Sequence, residues 1–162
     1  MKKAAIILTV LTLALGAVVG YELMNTRLIV TGQDQEKATS ASDCPEDFQT
    51  IREQVRTNAF RGCKISDSDL DEAGDYYFQT FTIRLKNPGL IEAQMVEMQI
   101  YPMKGDVLYY TSSEEITIAP GGEGICWVRL LTESNQKTTR DFYITYYLWG
   151  QPQTMKYTYK AD

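Results

Sequence analysis

The side chains of this sequence that are best suited to chemistry are carboxylates and thiols, because histidine is absent. Histidine is the commonest general base and metal ligand, so its absence argues against most enzyme classes. The adjacent Glu114 and Glu115 fit a strand, in which neighbours point to opposite faces and cannot flank a glycosidic bond. We therefore expect a protein without catalytic activity and without a cofactor.

The densest acidic run contains four aspartates in a pattern similar to the first half of a calcium-binding loop. These residues are Asp67, Asp69, Asp71 and Asp75. However, Glu72 occupies the place of the invariant glycine, and Phe78 occupies that of the bidentate glutamate. We expect a solvated loop, with weak calcium binding by the four aspartates as the less favoured alternative.

Three cysteines, Cys44, Cys63 and Cys126, form the second group of reactive side chains. In an oxidising compartment two of them are expected to pair. We predict a disulfide between Cys44 and Cys63, which flank a predicted helix. This pairing requires the chain to turn back within residues 58–62, because a straight helix holds its ends too far apart. The alternative pair is Cys63–Cys126; otherwise Cys126, which alternates with apolar residues, is a buried thiol.

The first residues predict the compartment. Lys2 and Lys3 precede an uncharged apolar run over residues 4–20, which is typical of a signal peptide or a signal anchor. As a helix this run spans roughly 26 Å, close to the ~30 Å hydrocarbon core of a bilayer. We expect a retained anchor over residues 1–24 that places the following chain outside the cytoplasm. Cleavage near the end of the run would instead release a secreted protein.

Between the anchor and the folded domain we predict a linker over residues 25–42, because after a short apolar patch at residues 28–30 the chain from Gln33 to Ser42 is polar and rich in Ser, Thr and Gln. The domain outside the cytoplasm then covers residues 43–162. It begins with a short helix over residues 45–60, for which Asp43 is the predicted N-cap and Pro45 lies in the first turn. An apolar stripe at helical spacing is expected to pack on the rest of the domain. The stripe consists of Phe48, Ile51, Val55 and Ala59.

From residue 76 onward apolar residues recur at every second position, which is typical of strands with one buried face. Turn signals separate these stretches, among them Asn87-Pro88-Gly89, Pro120-Gly121-Gly122 and Gly150-Gln151-Pro152. Strands with one apolar face need a second sheet to cover them. We therefore predict a mainly β protein with an antiparallel β-sandwich of about seven strands over residues 64–160.

Tyrosine is frequent, with 11 copies. Several aromatic residues fall on the strand face opposite the aliphatic stripe and form a possible binding face. These residues are Tyr76, Tyr101, Tyr143, Tyr147 and Trp149. Exposed rings stack on sugars or contact other proteins. The alternative role is structural, because aromatic residues favour strands and cover one another across neighbouring strands.

Residues 83–131 combine strands with turn residues at characteristic places. The turn residues are Asn87, Gly89, Gly105, Pro120 and Gly121. In this combination the stretch resembles the immunoglobulin-like modules of bacterial envelope proteins of the FxLYD and CARDB type. The resemblance implies an immunoglobulin-like sandwich that serves as an accessory binding or structural module, often anchored in a membrane. It supplies no catalytic residues, and the predicted helix between Asp43 and Cys63 departs from the pattern.

The charge of the chain restricts its partners. The 16 basic residues include Lys2 and Lys3, which leaves 14 against 21 acidic residues and a net charge of −7 beyond the apolar run. An acidic exterior repels nucleic acid and anionic lipid. We expect a membrane-anchored module outside the cytoplasm that contacts another envelope protein or a second copy of itself. The alternative function is glycan or cell-wall binding through the tyrosine-rich face.

Overall fold

The computed structural model describes residues 2–25, 27–67, 69–112, 114–136 and 138–160. The helices of this described chain are α1 (Lys2–Asn25) and α2 (Pro45–Arg56). Its strands are β1 (Ile29–Gln35), β2 (Thr39–Ser40), β3 (Cys63–Lys64), β4 (Tyr77–Lys86), β5 (Ala93–Ile100), β6 (Asp106–Thr111), β7 (Ile116–Ile118), β8 (Glu123–Thr132), β9 (Arg140–Leu148) and β10 (Gln151–Tyr159). Two short 3₁₀ turns lie at Ala41–Asp43 and Ala73–Asp75.

The helix α1 is long and apolar enough to cross a bilayer over Lys2–Glu22, and this stretch is not buried against other parts of the described chain. Its 21 residues correspond to about 32 Å of helix. Thr9 and Thr12 do not break the apolar surface, because their hydroxyls donate to the carbonyls of Ala5 and Leu8, each at 2.9 Å. Membrane anchors and signal sequences share these properties.

The strands form two antiparallel sheets, which confirms the predicted β-sandwich. The first sheet has the order β1-β4-β8-β6-β3, with β2 also paired to β4, and the second has the order β10-β9-β5-β7. Seven strands of the described chain have six or more residues, and they lie in the orders β1-β4-β8-β6 and β10-β9-β5. In chain order these seven correspond to strands A to G of an immunoglobulin constant-type domain, whose sheets are A-B-E-D and C-F-G.

The central core lies between the sheets and consists of the alternating apolar residues that the period of two predicts. On β4, β5 and β9 these are Phe81, Ile83, Leu85, Val96, Met98, Ile100, Phe142, Ile144, Tyr146 and Leu148. Burying a side chain of this size stabilises the fold by ~1.5–3 kcal/mol relative to leaving it in water. The two sheets therefore hold each other through these inward positions.

A second core lies on the outer side of the first sheet, beneath α2. Phe48 and Ile51 of the predicted helical stripe are buried there in one cluster with Phe78 and Leu131 of the sheet. Leu70, from the loop after β3, is also completely buried in this cluster and has a φ of +53°. The helix thus packs against the sandwich, as its stripe predicts.

The helix α2 is shorter than the predicted range 45–60. Its N-cap is Cys44 and not Asp43, which lies in the preceding 3₁₀ turn. Asn58 has a φ of +56°, and a residue in this left-handed region commonly ends a helix. Ala59 of the predicted stripe therefore lies beyond the helix and is exposed.

The prediction of a linker over residues 25–42 is wrong for most of this range. Strands β1 and β2 lie within it, and both pair with β4. Leu28 is only 3% exposed and belongs to the central core. The polar composition misleads because β1 is an edge strand whose side chains are mostly exposed, so its sequence lacks the alternation of a half-buried strand. The sandwich therefore begins at β1 and not at residue 64.

A buried ion pair connects the two sheets. Arg140, at the start of β9, donates two hydrogen bonds to the carboxylate of Asp106, at the start of β6, at 2.7 and 2.9 Å. The side chains are 3% and 0% exposed. The backbone N–H of Met103 also donates to this carboxylate, at 2.7 Å. The loss of one partner of such a desolvated pair leaves a buried charge without compensation.

Candidate functional site

The outward side of the second sheet is a strand surface on which no helix of the described chain packs. Alternation on β9 directs Tyr143, Thr145 and Tyr147 outward, and all three are half-buried between their neighbours. We call this surface the open face. It comprises Met95, Glu97, Gln99, Tyr101, Tyr143, Thr145, Tyr147, Thr154 and Lys156.

A β-bulge in β5 shapes one end of the open face. The register of β5 shifts between Ala93 and Val96 on its β7 side and between Gln94 and Glu97 on its β9 side. Met95 lies inside this bulge with a φ of +50° and is 52% exposed. Positive φ is unusual for a long side chain, and bulges commonly re-aim the residue they contain. The bulge therefore turns an apolar side chain from the core side to the surface.

A groove of about 400 Å³ crosses the open face from β10 to the loop between β6 and β7. Its floor contains Glu97, Thr145 and Thr154, which lie side by side in register on three neighbouring strands. Met95 and Tyr147 add apolar surface to the lining. The groove therefore combines a polar floor with apolar sides.

The charge of the groove is negative. The carboxylates of Glu97, Glu114 and Glu115 line it, and its lining includes no lysine or arginine among the described residues. Carboxylates gathered in a concave surface focus a negative potential and attract cations. The groove is thus suited to a ligand that carries positive charge together with apolar groups.

Two tyrosines form a pair at the other end of the open face. The ring centroids of Tyr101 and Tyr143 are 6.3 Å apart, and the ring planes are inclined by 56°. Tyr101 is 56% exposed, and its backbone N–H donates to the carbonyl of Asp141 at 2.9 Å. The rings support each other, but they do not form the coplanar platform on which a sugar ring stacks.

Lys156 lies beside this tyrosine pair, and its positive charge is balanced by the carboxylate of Asp141. Its ammonium is 2.7 Å from the carboxylate of Asp141. This hydrogen bond, followed by one from Thr158, lowers the pKa of Asp141 below its ordinary value. The same bond to Asp141 raises the pKa of Lys156, with smaller contributions from the neighbouring Tyr143 and Tyr101. The basic residue of the open face is therefore paired, which leaves the carboxylates of the groove as its dominant charge.

Two members of the predicted aromatic face lie elsewhere. Tyr76 is buried in the second core, where its ring stacks on Phe48 at 5.8 Å and 25°. It does point away from the central core, as its strand position predicts, but α2 covers that side of the first sheet. Trp149 is 61% exposed and lies in the turn between β9 and β10, at the edge of the open face. The structure thus gathers only Tyr101, Tyr143 and Tyr147 of the predicted set on one surface.

In the part of the chain that the structure describes, the aspartates of the acidic run are not gathered around one point. Among the described residues, no three acidic or cysteine side chains are grouped so that they could hold a metal ion. The aspartates predicted as weak calcium ligands are all exposed: Asp67, Asp69, Asp71 and Asp75. The buried side chain in this stretch is Leu70, which anchors the loop to the second core. The run is therefore a solvated loop held in place by one apolar residue.

The predicted disulfide between Cys44 and Cys63 is not present, because all three cysteines are free thiols. The two residues lie on opposite sides of the first sheet. Cys44 packs with the second core beneath α2, whereas Cys63 pairs with Tyr109, whose side chain packs on the central core. Burial, with a hydrogen bond to Cys63 as the second cause, raises the pKa of Tyr109 to about 12. The intervening sheet prevents the bond, because side chains on opposite faces point apart.

The alternative pair of Cys63 and Cys126 is also absent from the structure. β6 lies between the strands that carry these residues, which puts them at least ~10 Å apart, beyond the ~4–7 Å between the Cα atoms of a disulfide. Cys126 is 1% exposed, and burial raises the pKa of its thiol to about 11. It is the buried apolar thiol that its alternation predicts.

Of the residues that line the groove, the sequence predicts a binding role for Tyr147 but not for Met95, Glu97, Glu114 or Glu115. The bulge at Met95 has one signal in the sequence, since Ala93 and Val96 are apolar but three positions apart, which breaks the period of two. For Glu114 and Glu115 the sequence excludes a catalytic pair and gives no sign of a shared groove. Their contribution to one groove depends on a loop conformation that has no sequence signature.

Comparison with known proteins leaves the family open. No family model matches the chain, and no curated protein matches it. Among solved structures, a FixG-related protein from Vibrio parahaemolyticus superposes with a TM-score of 0.34 at 10% identity, over 61% of this chain and 91% of that one. The cupredoxin domain of amoB from Nitrosocaldus yellowstonii gives a TM-score of 0.37 at 15% identity, over 80% of this chain and 84% of that one. Such values carry no inference about function, and the resemblance to FxLYD and CARDB-type modules stays a prediction.

Proposed function

We propose that this chain is a membrane-anchored accessory module that lies outside the cytoplasm and binds another envelope protein through the open face. In this proposal α1 is the anchor, the sandwich is the binding domain, and the chain has no catalytic activity. The observation that carries the proposal is the uncovered groove with its three carboxylates and its apolar sides.

The orientation of the proposed anchor follows from charge. Lys2 and Lys3 precede the apolar stretch of α1, and positive residues favour the cytoplasmic side of a membrane. The sandwich then lies on the opposite side. The absence of histidine from the sequence supports a binding role over catalysis, and Cys126 is neutral at ordinary pH and is therefore a poor nucleophile.

The chemistry of the groove indicates the class of partner. Glu97, Glu114 and Glu115 attract basic side chains, while Met95 and Tyr147 offer apolar contact. A protein segment with lysine or arginine next to an apolar residue fits both features. A second copy of this chain fits less well, because it carries the same excess of acidic residues. The inclination between Tyr101 and Tyr143 likewise favours a protein over a glycan.

Site-specific photo-crosslinking tests the proposal in the membranes of the native host. The photoreactive p-benzoylphenylalanine replaces Tyr147 on the open face in one protein and the exposed Arg56 on α2 in another. We expect an adduct with a different protein from position 147 and none from position 56. Adducts from both positions, or from neither, would contradict the proposal. An adduct of twice the mass of the chain would show self-association instead, and retention on purified cell wall would support glycan binding.

The carboxylates are tested by isosteric neutralisation. We expect the triple variant Glu97→Gln, Glu114→Gln, Glu115→Gln to lower the affinity for the partner, and with it the yield of the adduct, roughly tenfold. The reason is that three exposed ionic contacts contribute about 0.5 kcal/mol each. The matched control makes the same change of charge at exposed positions away from the groove. It replaces Glu72, Glu123 and Glu133 with Gln. Equal losses in the two triple variants would show that net charge matters and the groove does not.

A further inference from the structure

We propose that the end of the sandwich next to α1 rests on the lipid surface, with Trp149 and Leu90 in the bilayer interface. This inference depends on the proposed anchoring of α1. It adds a second contact between the protein and the membrane, made by two loop tips of the folded domain.

The topology places several loops at one end of the sandwich. The start of β1 pairs with the end of β4, because Ile29 lies opposite Lys86. The loop that follows β4 contains Leu90, and it leads into β5. On the second sheet, Gln94 of β5 lies opposite Tyr147 of β9, so the turn after β9 is at the same end. The chain from α1 enters at this end, which therefore faces the helix.

The connection from α1 to the sandwich is too short to let this end move far from a membrane. α1 ends at Asn25, and Leu28 is already buried in the central core, where its N–H lies 3.4 Å from the hydroxyl of Tyr146. Three residue steps span at most about 11 Å. The backbone N–H of Leu90 also donates to the carboxylate of Glu22, the last residue of the apolar stretch, at 3.3 Å. The loop tip is thus at the depth where the hydrocarbon core ends.

Trp149 has a backbone conformation that is unusual for a bulky residue, and its side chain is not buried in the core. It has a φ of +49° and is followed by Gly150 with a φ of +73°, as in the two-residue turns that normally contain Asn-Gly. A bulky residue in this region is an outlier, and such strain marks functional positions. The side chain is 61% exposed, so burial does not offset the strain. A bilayer interface supplies the missing contact, because tryptophan prefers the headgroup level.

Leu90 reinforces this interpretation. It is 71% exposed, more than any other large apolar residue that the structure places in the sandwich. The charges near this end have both signs, since Lys86 lies opposite Glu123 across β4 and β8. Attraction to anionic lipid is therefore not the driving force. We expect contact with zwitterionic phosphatidylcholine that is insensitive to salt.

Because the chain contains two tryptophans, single-tryptophan variants report the depth of each one. The full chain with Trp127→Phe, which retains Trp149, is reconstituted in phosphatidylcholine vesicles. We expect its emission to shift to the blue and to be quenched by lipids brominated near the glycerol end of the acyl chains. The matched control is Trp149→Phe, which retains Trp127 on β8, and its emission should be unaffected by brominated lipid. Quenching of Trp127 alone, or equal quenching of both, would overturn the proposal.

A second variant separates lipid contact from a structural role. Trp149→Asn installs the residue that the turn prefers, so we expect the thermal midpoint of the full chain in detergent to rise by roughly 2–5 °C. In vesicles, the same variant should exchange the amide hydrogens of residues 87–92 faster than the unchanged protein. A lowered midpoint with unchanged exchange would show that Trp149 stabilises the fold and does not contact lipid.

Flotation distinguishes failure of this inference from failure of the proposed function. A chain that does not float with the vesicles after an alkaline wash is not anchored by α1, and both proposals then fail. A chain that floats while the emission of Trp149 remains red-shifted and sensitive to aqueous iodide is anchored with its loops in water. In that case only the lipid contact fails.

Discussion

The outer faces of the two sheets differ in what covers them, although both carry aromatic residues. On the first sheet, Phe78 points outward into the second core, where α2 and the loop around Leu70 cover it together with Tyr76. On the second sheet, Tyr101 and Tyr143 point outward in the same way and remain accessible. Strand alternation determines only that these side chains point away from the central core. Whether they are buried in a second core or exposed to solvent depends on whether an apolar segment from elsewhere in the chain packs on them.

The polar contacts of the two faces also differ in how far they are shielded from water. Beneath α2, the guanidinium of Arg129 lies 4.3 Å from the centre of the Phe78 ring and 2.9 Å from the carboxylate of Asp47. On the open face, Lys156 pairs with Asp141 in contact with water. An ion pair that also covers an aromatic ring connects a helix to a sheet, whereas an exposed pair contributes little to stability. The covered face thus contributes contacts between a helix and a sheet, whereas the open face remains in contact with solvent.

The largest expected effect comes from truncating a buried aromatic residue of the covered face. We expect Phe48→Ala to lower the free energy of unfolding by about 4 kcal/mol, because it leaves a cavity between α2 and the sheet. Tyr143→Ala, the matched change on the open face, should lower it by less than about 1 kcal/mol. Denaturant unfolding of the full chain in detergent micelles measures both. Similar losses would show that the open face is a structural surface and would remove the contrast between the faces.

A second test uses β9, which presents one ion pair to the core and one to the open face. We expect Arg140→Met to lower the free energy of unfolding by about 3 kcal/mol, because it leaves the carboxylate of Asp106 buried without its partner. Lys156→Met breaks the neighbouring pair on the open face, and its effect should lie within the error of the measurement. The same unfolding experiment compares the two variants. A neutral Arg140→Met would mean that water or another side chain replaces the guanidinium between the sheets.

The sequence predicts those parts of the fold in which local pattern and burial agree. The period of two on β4, β5 and β9 identifies the central core, and the stripe of Phe48 and Ile51 identifies the helix that packs on the sandwich. Alternation fails for β1, because both faces of this edge strand are largely exposed. A soluble protein that began at residue 33 would therefore lose half of a strand and the core residue Leu28.

The candidate site is less predictable, because it depends on contacts between distant segments. Tyr76 has the strand position of an outward residue, and only the packing of α2 decides that it is buried. The groove requires the bulge at Met95 and the loop that carries Glu114 and Glu115, and neither feature has a strong local signature. The spacing of Cys44 and Cys63 suggested a bond, but spacing along the chain does not reveal on which face of a sheet each residue lies.

The smallest expected effect concerns the core behind the open face. If the uncovered sheet let water reach the interior, Cys126 would titrate as an ordinary thiol. Burial instead raises the pKa of this thiol from 9.0 to about 11. A group whose pKa is raised by folding stabilises the native state below the pKa of the unfolded chain, and this contribution is lost as the pH rises through the folded value. The loss therefore falls between pH 9 and 11.

Between neutral pH and pH 10, we expect the titration of the Cys126 thiol to lower the free energy of unfolding by about 1.4 kcal/mol. The variant Cys126→Ala should have a lower stability throughout, because it leaves a small cavity, but a shallower decline over the same interval. Tyr109, whose pKa is raised to about 12 by burial, titrates in both proteins, so its contribution cancels in the comparison. Parallel pH profiles for the two proteins would show that Cys126 is accessible to water.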